Sequence, residues 1–388
     1  MTARTGFFTI ASKNYLSAVR VLMDSIRRCH PDSPRFLVLC DEVDGRFDAN
    51  AEPFGIVLSR DLGIPDFRRF AFQYTLIEFN TAVKATAFRY LFRNHQVERL
   101  IYLDPDIQIY RPLEEAFAEL EQANLVLTPH KTDVSADDGN TWLERKILRG
   151  GVYNLGFLGL RQSPETQRFL AWWEKCLATG CQLCPDRGLF VDQKWLDMVP
   201  ALFEGVRILR HPGYNVAYWN LAQRPLTGAL PMGCHAASAP LVFYHFSGYS
   251  PLKPDRIMSY EGEFALPSIE GTLESLLQDY RQRLMAHDYA VTHTWPYAYG
   301  VLSDGTPIRK SWRKAVLRHV EAWADIPDLF DVDATPDLVS RLNRAARTLL
   351  PHEEELWRLN YQRLARVFPV NLLLWCRRRM LGLRKPDE

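Results

Sequence analysis

A short apolar run that ends in two carboxylates constrains this chain more than any other stretch. Leu100 to Leu103 are consecutive apolar residues, which predicts a strand buried on both faces of a sheet. Asp104 and Asp106 follow, with Pro105 between them. Side chains two positions apart in an extended segment point to the same side, so both carboxylates would emerge together. Because adjacent carboxylates repel each other, the stretch predicts a divalent-metal site, although Asp-Pro-Asp is also ordinary turn chemistry.

Apolar runs and amphipathic stretches alternate along the first two-thirds of the chain, as in α/β proteins. A run at 6–11 is followed by helically spaced apolar residues between Asn14 and Pro31, and then by a run at 36–40. This order predicts two parallel strands joined by a helix. Further strands are predicted at 100–103, 124–128, 153–160 and 241–246, and further helices from Asn80, from Pro164 to Gly180, and from about Val191. Residues 41–75 are predicted to be rich in loops.

The sequence changes character after about residue 255. Helices are predicted at 271–286, 312–325, 335–349 and 352–366, so we expect one domain over 1–255 and a mainly helical region over 256–388. The last 28 residues carry a net charge of +5, from seven basic and two acidic side chains, beside apolar residues 372–375. Such a tail is typical of a segment that contacts an anionic membrane surface, and equally of a basic terminal helix packed on its own domain.

Composition excludes several classes of protein. The 388 residues carry a formal net charge of +1, so no basic field favours nucleic acid as a partner. Seven cysteines, an odd number scattered along the chain, favour a reducing compartment over a disulfide framework. The apolar run at 6–11 is too short for a signal peptide, and the one at 367–375 is too short to span a bilayer. We therefore expect a cytoplasmic protein.

Three cysteines are closely spaced, at Cys176, Cys181 and Cys184. Their spacing imitates the start of a plant-type iron–sulfur pattern. Cys176 also follows Phe169 at helical spacing, and later cysteines that could supply a fourth ligand are distant. We interpret the three as packed or loop thiols.

Short motifs occur in an order that resembles one family. They are Ile10-Ala11-Ser12-Lys13-Asn14-Tyr15, Arg89, Asp104-Pro105-Asp106, Asn154-Leu155-Gly156, Asp192-Gln193 and His245-Phe246-Ser247-Gly248. Over residues 6–255, roughly two-thirds of the chain, they resemble GT-A-fold retaining glycosyltransferases of the family 8 type, such as glycogenin and the bacterial lipopolysaccharide galactosyltransferases. The resemblance implies a Rossmann-like, mostly parallel central sheet with flanking helices, and makes 1–255 a catalytic domain that binds a nucleotide-sugar.

The resemblance also implies a role for each motif. The residues that would seat the donor nucleotide are Ala11, Ser12, Asn14 and Tyr15, with Tyr15 stacked on the base. Those that would bind Mn²⁺ or Mg²⁺ are Asp104, Asp106 and His245, and Asp104 would also lie against the donor. Those near the reacting sugar would be Asn154, Asp192 and Gln193, and those at the phosphates Gly248 and Lys253. Lys84 and Arg89 lie on the helix predicted before the acidic strand, where either cation could reach a phosphate or a sugar.

Two positions depart from the family pattern. Ser12 stands where many members carry an aspartate that holds the base. The expectation that the base is uridine therefore depends on the other motif residues. Lys253 follows His245 by eight residues instead of about six, so its contact with phosphate rests on a longer loop. The region after residue 255 matches no motif of the family.

The function implied is metal-dependent transfer of a hexosyl unit, with retention of configuration, from a nucleotide-sugar such as a UDP-sugar to a glycan, lipid-linked or protein acceptor. Two alternatives stay open. A sugar nucleotidyltransferase should carry a glycine-rich phosphate loop after its first strand, and residues 12–15 contain no glycine. A non-catalytic carbohydrate-binding or scaffold protein on the same fold would be indicated by loss of a metal ligand, and all three are present.

Overall fold

The computed structural model describes residues 4–134, 141–259 and 266–347. Contacts between Cα atoms divide the chain into two units, residues 1–300 and residues 301–388. The strands are β1 (Thr5–Ala11), β2 (Arg35–Leu39), β3 (Gly55–Leu58), β4 (Arg99–Leu103), β5 (Ile107–Ile109), β6 (Leu125–Pro129), β7 (Tyr153–Arg161), β8 (Leu183–Cys184), β9 (Leu189–Phe190), β10 (Val206–Ile208), β11 (Leu226–Thr227), β12 (His235–Ala236), β13 (Ala239–Pro240) and β14 (Phe243–His245). The helices are α1 (Leu16–Cys29), α2 (Phe67–Gln73), α3 (Leu76–Ala82), α4 (Lys84–Asn94), α5 (Glu114–Glu119), α6 (Trp142–Gly150), α7 (Pro164–Gly180), α8 (Val199–Leu202), α9 (Gly271–Ala286), α10 (Tyr289–Thr292) and α11 (Lys310–Arg318).

Seven strands form the central sheet, in the order β10-β6-β7-β4-β1-β2-β3. Strands β1, β2, β3 and β4 pair in parallel, as do β6 and β10, whereas β7 runs antiparallel to both of its neighbours. The predicted α/β class with a mostly parallel sheet is confirmed. Parallel strands need a crossover between them, and α1 supplies the one that joins β1 to β2.

Alternating side chains of β1 serve the two faces of the sheet. Phe7 lies in an apolar cluster with α1 residues such as Val19 and Leu22. Phe8 points to the other face, where its ring meets that of Phe88 on α4 edge-on, with centroids 4.6 Å apart. Both faces are therefore covered, which explains why the strands are continuous apolar runs.

The helix predicted from Pro164 begins at its predicted cap, whereas α1 begins at Leu16 behind a 3-10 turn, Lys13–Tyr15, that contains Asn14. Ser163 accepts a hydrogen bond from the Thr166 amide in front of Pro164, and α9 covers the predicted 271–286. The helix predicted from Asn80 is instead two helices, α3 and α4, that meet at Val83. α3 begins before Asn80, because Thr75 and Glu78 form a capping box at its start.

Other predicted elements differ from the structure. The helix expected from Val191 is a 3-10 segment, Gln193–Met198, followed by the short α8. The region 41–75 holds β3 and α2, whose short lengths leave little periodicity to detect.

Helices α9 and α10 fall within the first unit, residues 1–300, whereas the domain boundary predicted from the sequence is at residue 255. Five apolar side chains of α9 share one buried cluster with α1 and β14. They are Leu273, Leu276, Leu277, Tyr280 and Leu284. This apolar face, which only tertiary packing reveals, ties α9 to the sheet-bearing unit.

In the second unit, the helix predicted at 312–325 is α11 followed by a 3-10 turn, Val320–Trp323. Residues 338–347 are helical, within the predicted 335–349. The helix predicted at 352–366 and the basic tail lie outside the described residues. Across the ranges that the structure describes, helices long and apolar enough to cross a bilayer are absent.

Candidate active site

A tight turn and a short strand pair bring the two carboxylates to one imidazole. The Ile107 amide donates to the Asp104 carbonyl over 3.1 Å, which closes the turn around Pro105. β5 then pairs antiparallel with β14, with His245 opposite Ile107. The Phe246 amide donates to the Asp106 carbonyl over 2.8 Å. His245 therefore lies beside the acidic turn, at the carboxyl end of β4, where open α/β sheets bind ligands.

Three possible ligand atoms lie close together. His245 Nε2 is 3.1 Å from Asp106 Oδ1 and 3.6 Å from Asp104 Oδ2. All three ligand atoms lie within 4.8 Å of one another, and within the described parts of the chain no other group of three His, Cys, Asp or Glu side chains is arranged to hold a metal. The imidazole is buried, while the carboxylates remain partly accessible.

Burial and neighbouring charges shift the pKa values of Asp104 and His245. Burial raises the pKa of Asp104, although the charges of Lys84 and His245 oppose the shift. Burial lowers the pKa of His245, but the carboxylates of Asp106 and Asp104 outweigh it and the net shift is upward. The Tyr102 hydroxyl donates to Asp104 Oδ1 over 2.5 Å and orients that carboxylate. A divalent cation would relieve the repulsion between the acids.

The donor set fits such a cation. Two carboxylates suit a hard ion, and one imidazole nitrogen favours Mn²⁺ over Mg²⁺. The hydrogen bond from Tyr102 is the kind of outer contact that holds a metal ligand in place. A methyl group at Gly156 would lie 2.5 Å from His245 Cε1 and 2.7 Å from Nδ1. Glycine at this position of β7 is therefore what leaves room for the imidazole.

A buried ion pair lies next to the cluster. Lys84 Nζ is 2.6 Å from Asp192 Oδ2, with side chains only 1% and 2% exposed. It also donates to the Leu155 carbonyl over 3.0 Å and lies 4.0 Å above the Tyr102 ring. Burial raises the pKa of Asp192, and the Lys84 charge opposes that rise. The Lys84 amine therefore contacts three parts of the site: the Tyr102 ring on β4, the backbone of β7, and Asp192.

Two predicted sugar-site residues make hydrogen bonds within the protein. Asn154 accepts from the Gly156 amide over 3.1 Å and lies 3.2 Å from His130 Nε2. Gln193 accepts from the Leu155 amide and donates to the Gly150 carbonyl. Both side chains are buried beside β7, and their contact with a sugar stays a prediction.

The first-strand motif lies at the carboxyl end of β1. Ala11 ends the strand, and Ser12 donates to Asn14 Oδ1 over 2.5 Å. Lys13 is fully buried and pairs with Asp41 and Asp44, at 3.0 and 2.6 Å. Asn14 and Tyr15 line a cavity next to Asp106, and Tyr15 is 46% exposed.

Of three remaining residues predicted at the donor site, one lines the cavity beside Asp106 and two lie elsewhere in the structure. Gly248 has φ of +73°, which favours glycine, and it lines the same cavity as Asp106. Lys253 lies on an exposed turn. Arg89 pairs with Glu174 at 2.6 Å. The donor contacts predicted for Lys253 and Arg89 stay predictions.

Three residues near the cluster were assigned no role from the sequence, although Gly156 belongs to the Asn-Leu-Gly motif. Tyr102 lies two positions before Asp104, so the strand period would have found it. Gly156 carried the signal of a glycine inside a strand. Trp219 meets the His245 ring edge-on, with centroids 5.3 Å apart, and comes from an irregular segment that gives no local signal.

Of the three closely spaced cysteines, Cys181 is buried against Thr81 and the Glu78 carbonyl.

No protein-family model matches the chain. Two proteins of Bacillus subtilis (strain 168), both described as uncharacterized, are similar to it. YfnF is 27% identical over 253 residues, which cover 63% of this chain and 82% of YfnF. YfnD is 24% identical over 253 residues, which cover 63% of this chain and 78% of YfnD.

Solved structures of glycosyltransferases also align with the chain at low identity. The galactosyltransferase LgtC in complex with donor and acceptor sugar analogues is 15% identical, with a TM-score of 0.43 over 72% of this chain and 95% of LgtC. Mouse xyloside xylosyltransferase 1 is 15% identical, with a TM-score of 0.37 over 62% of this chain and 97% of that enzyme. GlyE of Streptococcus pneumoniae TIGR4 is 13% identical, with a TM-score of 0.38 over 77% of this chain and 67% of GlyE.

Proposed function

We propose that this protein is a GT-A-type, metal-dependent glycosyltransferase that moves a hexosyl unit from a UDP-sugar to an acceptor with retention of configuration. The observation that carries the proposal is the convergence of Asp104, Asp106 and His245 at the end of β4. A buried Lys84–Asp192 pair beside a divalent-cation site suits a substrate that carries both a diphosphate and a sugar.

The cluster would hold Mn²⁺, or Mg²⁺, through Asp104, Asp106 and His245. Such an ion stabilises the negative charge that develops on a departing nucleoside diphosphate. Gly248 would let the backbone approach the phosphates closely, because it lines the cavity next to Asp106. Lys253 would add a positive charge from the exposed turn that follows.

Asp192 would orient the hydroxyls of the donor sugar. Lys84 holds its carboxylate in place at 2.6 Å and favours its ionised form. Asn154 and Gln193, which are both buried beside β7, would approach the reacting carbon. Retention would follow if the acceptor hydroxyl attacks on the face that the diphosphate leaves, and its proton passes to a phosphate oxygen.

The acceptor would be a glycan, a lipid-linked intermediate of surface-polysaccharide synthesis, or a protein. The basic tail, which lies outside the described residues, would favour a lipid-linked acceptor at the inner face of the cytoplasmic membrane. Acceptor sites are built largely from loops, which carry little readable code.

The test is a calorimetric titration of UDP, with GDP as the control nucleotide, with and without Mn²⁺. We expect UDP binding that depends on Mn²⁺ and that Asp106→Ala weakens at least about 100-fold, because it removes one of three ligands. Asp61→Ala removes an exposed carboxylate outside the cluster and should bind like the wild type. Tighter binding of GDP would contradict a UDP-sugar donor, and no nucleotide binding by the wild type would overturn the proposal.

A further inference from the structure

Helix α6 differs from the other α-helices in the described ranges, because none of its side chains is buried. Its nine residues include three basic side chains and one acidic side chain. Trp142, Leu143 and Ile147 are half-buried, and Leu148 is 60% exposed. A helix of a globular protein normally turns its apolar residues toward the core. Packing within this chain therefore leaves much of the apolar surface of α6 uncovered.

Basic and apolar side chains share the outer face of α6. Arg145 lies three residues after Trp142 and three before Leu148, so the three are neighbours on one side of the helix. Arg149 follows Arg145 by four residues on the same side, and both are exposed. Lys146 Nζ lies 4.0 Å above the Trp142 ring. Cations beside tryptophan and leucine are typical of helices that lie in the interface of a bilayer.

The acidic side chains near this face leave it positively charged. Glu144, the one acid of α6, is paired with Lys131. Asp186 pairs with Arg149 at 2.7 Å, and both side chains of that pair are exposed. An exposed pair is weak, so an anionic headgroup can replace Asp186 as the partner of Arg149. Further exposed side chains on the segments bonded to α6, some apolar and some basic, are Val152, Leu183, Arg187 and Met198.

The carboxyl-terminal end of α6 is fixed to the segment that follows Asp192. Gln193 donates to the Gly150 carbonyl over 2.8 Å, and Lys194 donates to the Leu148 carbonyl. Gln193 also accepts from the Leu155 amide on β7 over 3.1 Å. One segment thus holds both α6 and β7, so a surface that binds α6 has a fixed position relative to Asp192.

We infer that the outer face of α6 docks on an anionic lipid bilayer, with Trp142 and Leu148 inserted at the interface and Arg145, Lys146 and Arg149 at the lipid phosphates. Guanidinium groups bind phosphate oxygens in pairs, and each cation near an anionic surface strengthens binding. Protein interfaces are depleted of lysine at their core, which favours lipid as the occupant. The inference goes beyond the proposed function and does not depend on it, because docking needs no nucleotide.

The experiment measures co-sedimentation of the full chain with vesicles of phosphatidylglycerol and phosphatidylcholine in equal parts, and with phosphatidylcholine alone. We expect binding to the anionic vesicles that weakens as salt rises. Arg145→Gln should weaken it about fivefold, as expected for one cation near an anionic surface. Leu148→Ser should weaken it about tenfold, because an inserted leucine loses its burial. Arg28→Gln, which replaces an exposed arginine in the last turn of α1, is the matched control and should bind like the wild type.

The basic tail needs its own comparison, because it also carries positive charge. A variant in which Arg377, Arg378 and Arg379 are replaced by glutamine leaves α6 unchanged and should keep a vesicle affinity that Leu148→Ser lowers further. Wild-type vesicle binding by both Arg145→Gln and Leu148→Ser would overturn the inference and assign any docking to the tail. Equal binding to neutral vesicles, or none by the wild type, would overturn it too and leave the face to a protein partner. Unchanged melting temperatures would show that the α6 variants are folded.

Discussion

Lys84 and Asp192 form an ion pair that the protein keeps almost completely out of water. Removing two charges from water costs several kcal/mol each, and their attraction offsets this only in good geometry. Here the amine has three partners, namely Asp192, the Leu155 carbonyl and the Tyr102 ring. A core of apolar side chains would serve stability as well, so the pair is better explained by the chemistry of the adjacent site.

Replacing only one member of the Lys84–Asp192 pair should destabilise the protein. Lys84→Met and Asp192→Leu should each lower the free energy of unfolding by about 3–5 kcal/mol, because each leaves a buried charge without its partner. The double substitution should recover most of that loss while sugar transfer stays abolished. Urea unfolding of the four proteins, analysed as a double-mutant cycle, measures the coupling.

The control for this cycle is Arg149→Met, which breaks an exposed ion pair with Asp186 and should change stability little. If the double variant transferred sugar like the wild type, the pair would be structural only, and Asp192 would lose its proposed role.

Strand β7 shows how one element arranges several parts of the site. Asn154 and Gly156 are two positions apart and share a side of the strand. The Leu155 carbonyl between them accepts the Lys84 amine. The Gly156 carbonyl accepts the Asp104 amide over 2.8 Å, so the same residue fixes the acidic turn and makes room for His245.

A methyl group at Gly156 should therefore disturb the cation site before it disturbs the fold. In Gly156→Ala the new Cβ would lie 2.5 Å from His245 Cε1, so the ring must move, and we expect Mn²⁺ affinity to fall at least about tenfold. Electron paramagnetic resonance of free and bound Mn²⁺ gives the affinity.

Gly159→Ala is the control on the same strand, since its Cβ would meet Leu120 Cδ1 at 3.1 Å in the apolar core. It should lower the melting temperature and leave Mn²⁺ affinity unchanged. Wild-type affinity in Gly156→Ala would show that His245 does not bind the ion.

The first unit is complete only with the helices that follow residue 255. The loop after His245 is held from α9 by the Phe246–Tyr280 stack and by a hydrogen bond from the Arg281 side chain to the Pro251 carbonyl. The five apolar side chains of α9 add about 2 kcal/mol each, on the order of 10 kcal/mol in all, which is comparable to the net stability of a domain.

Two truncations test this organisation. A chain that ends at residue 300 should fold cooperatively and keep Mn²⁺-dependent UDP binding, because it retains the whole first unit. A chain that ends at residue 255 should be unfolded or insoluble, because it exposes the cluster that α9 covers. Circular dichroism on melting and UDP calorimetry distinguish the two. A stable, UDP-binding 1–255 fragment would restore the boundary expected from the sequence.

Local patterns along the chain were enough for the strands at 6–11 and 100–103, for the start of α7, and for the two adjacent carboxylates. Strand periodicity and helix caps depend on neighbours a few residues away, so one segment contains the whole signal. The packing of the helices that follow residue 255 could not be predicted in this way, for the opposite reason. The apolar face of α9 looks the same whether it packs on its own helical neighbours or on α1.

Amino-acid order thus sufficed for the α/β class and for Asp104 and Asp106 side by side. The family resemblance implied His245 as the third ligand, and the pairing of β5 with β14 brings it to them. The folded chain alone decided that Lys84 reaches Asp192 and that Ser17 lines a cavity with His293. The reason is that each of these contacts joins segments distant in sequence. Their free energy depends on burial and pairing that exist only once the sheet has formed.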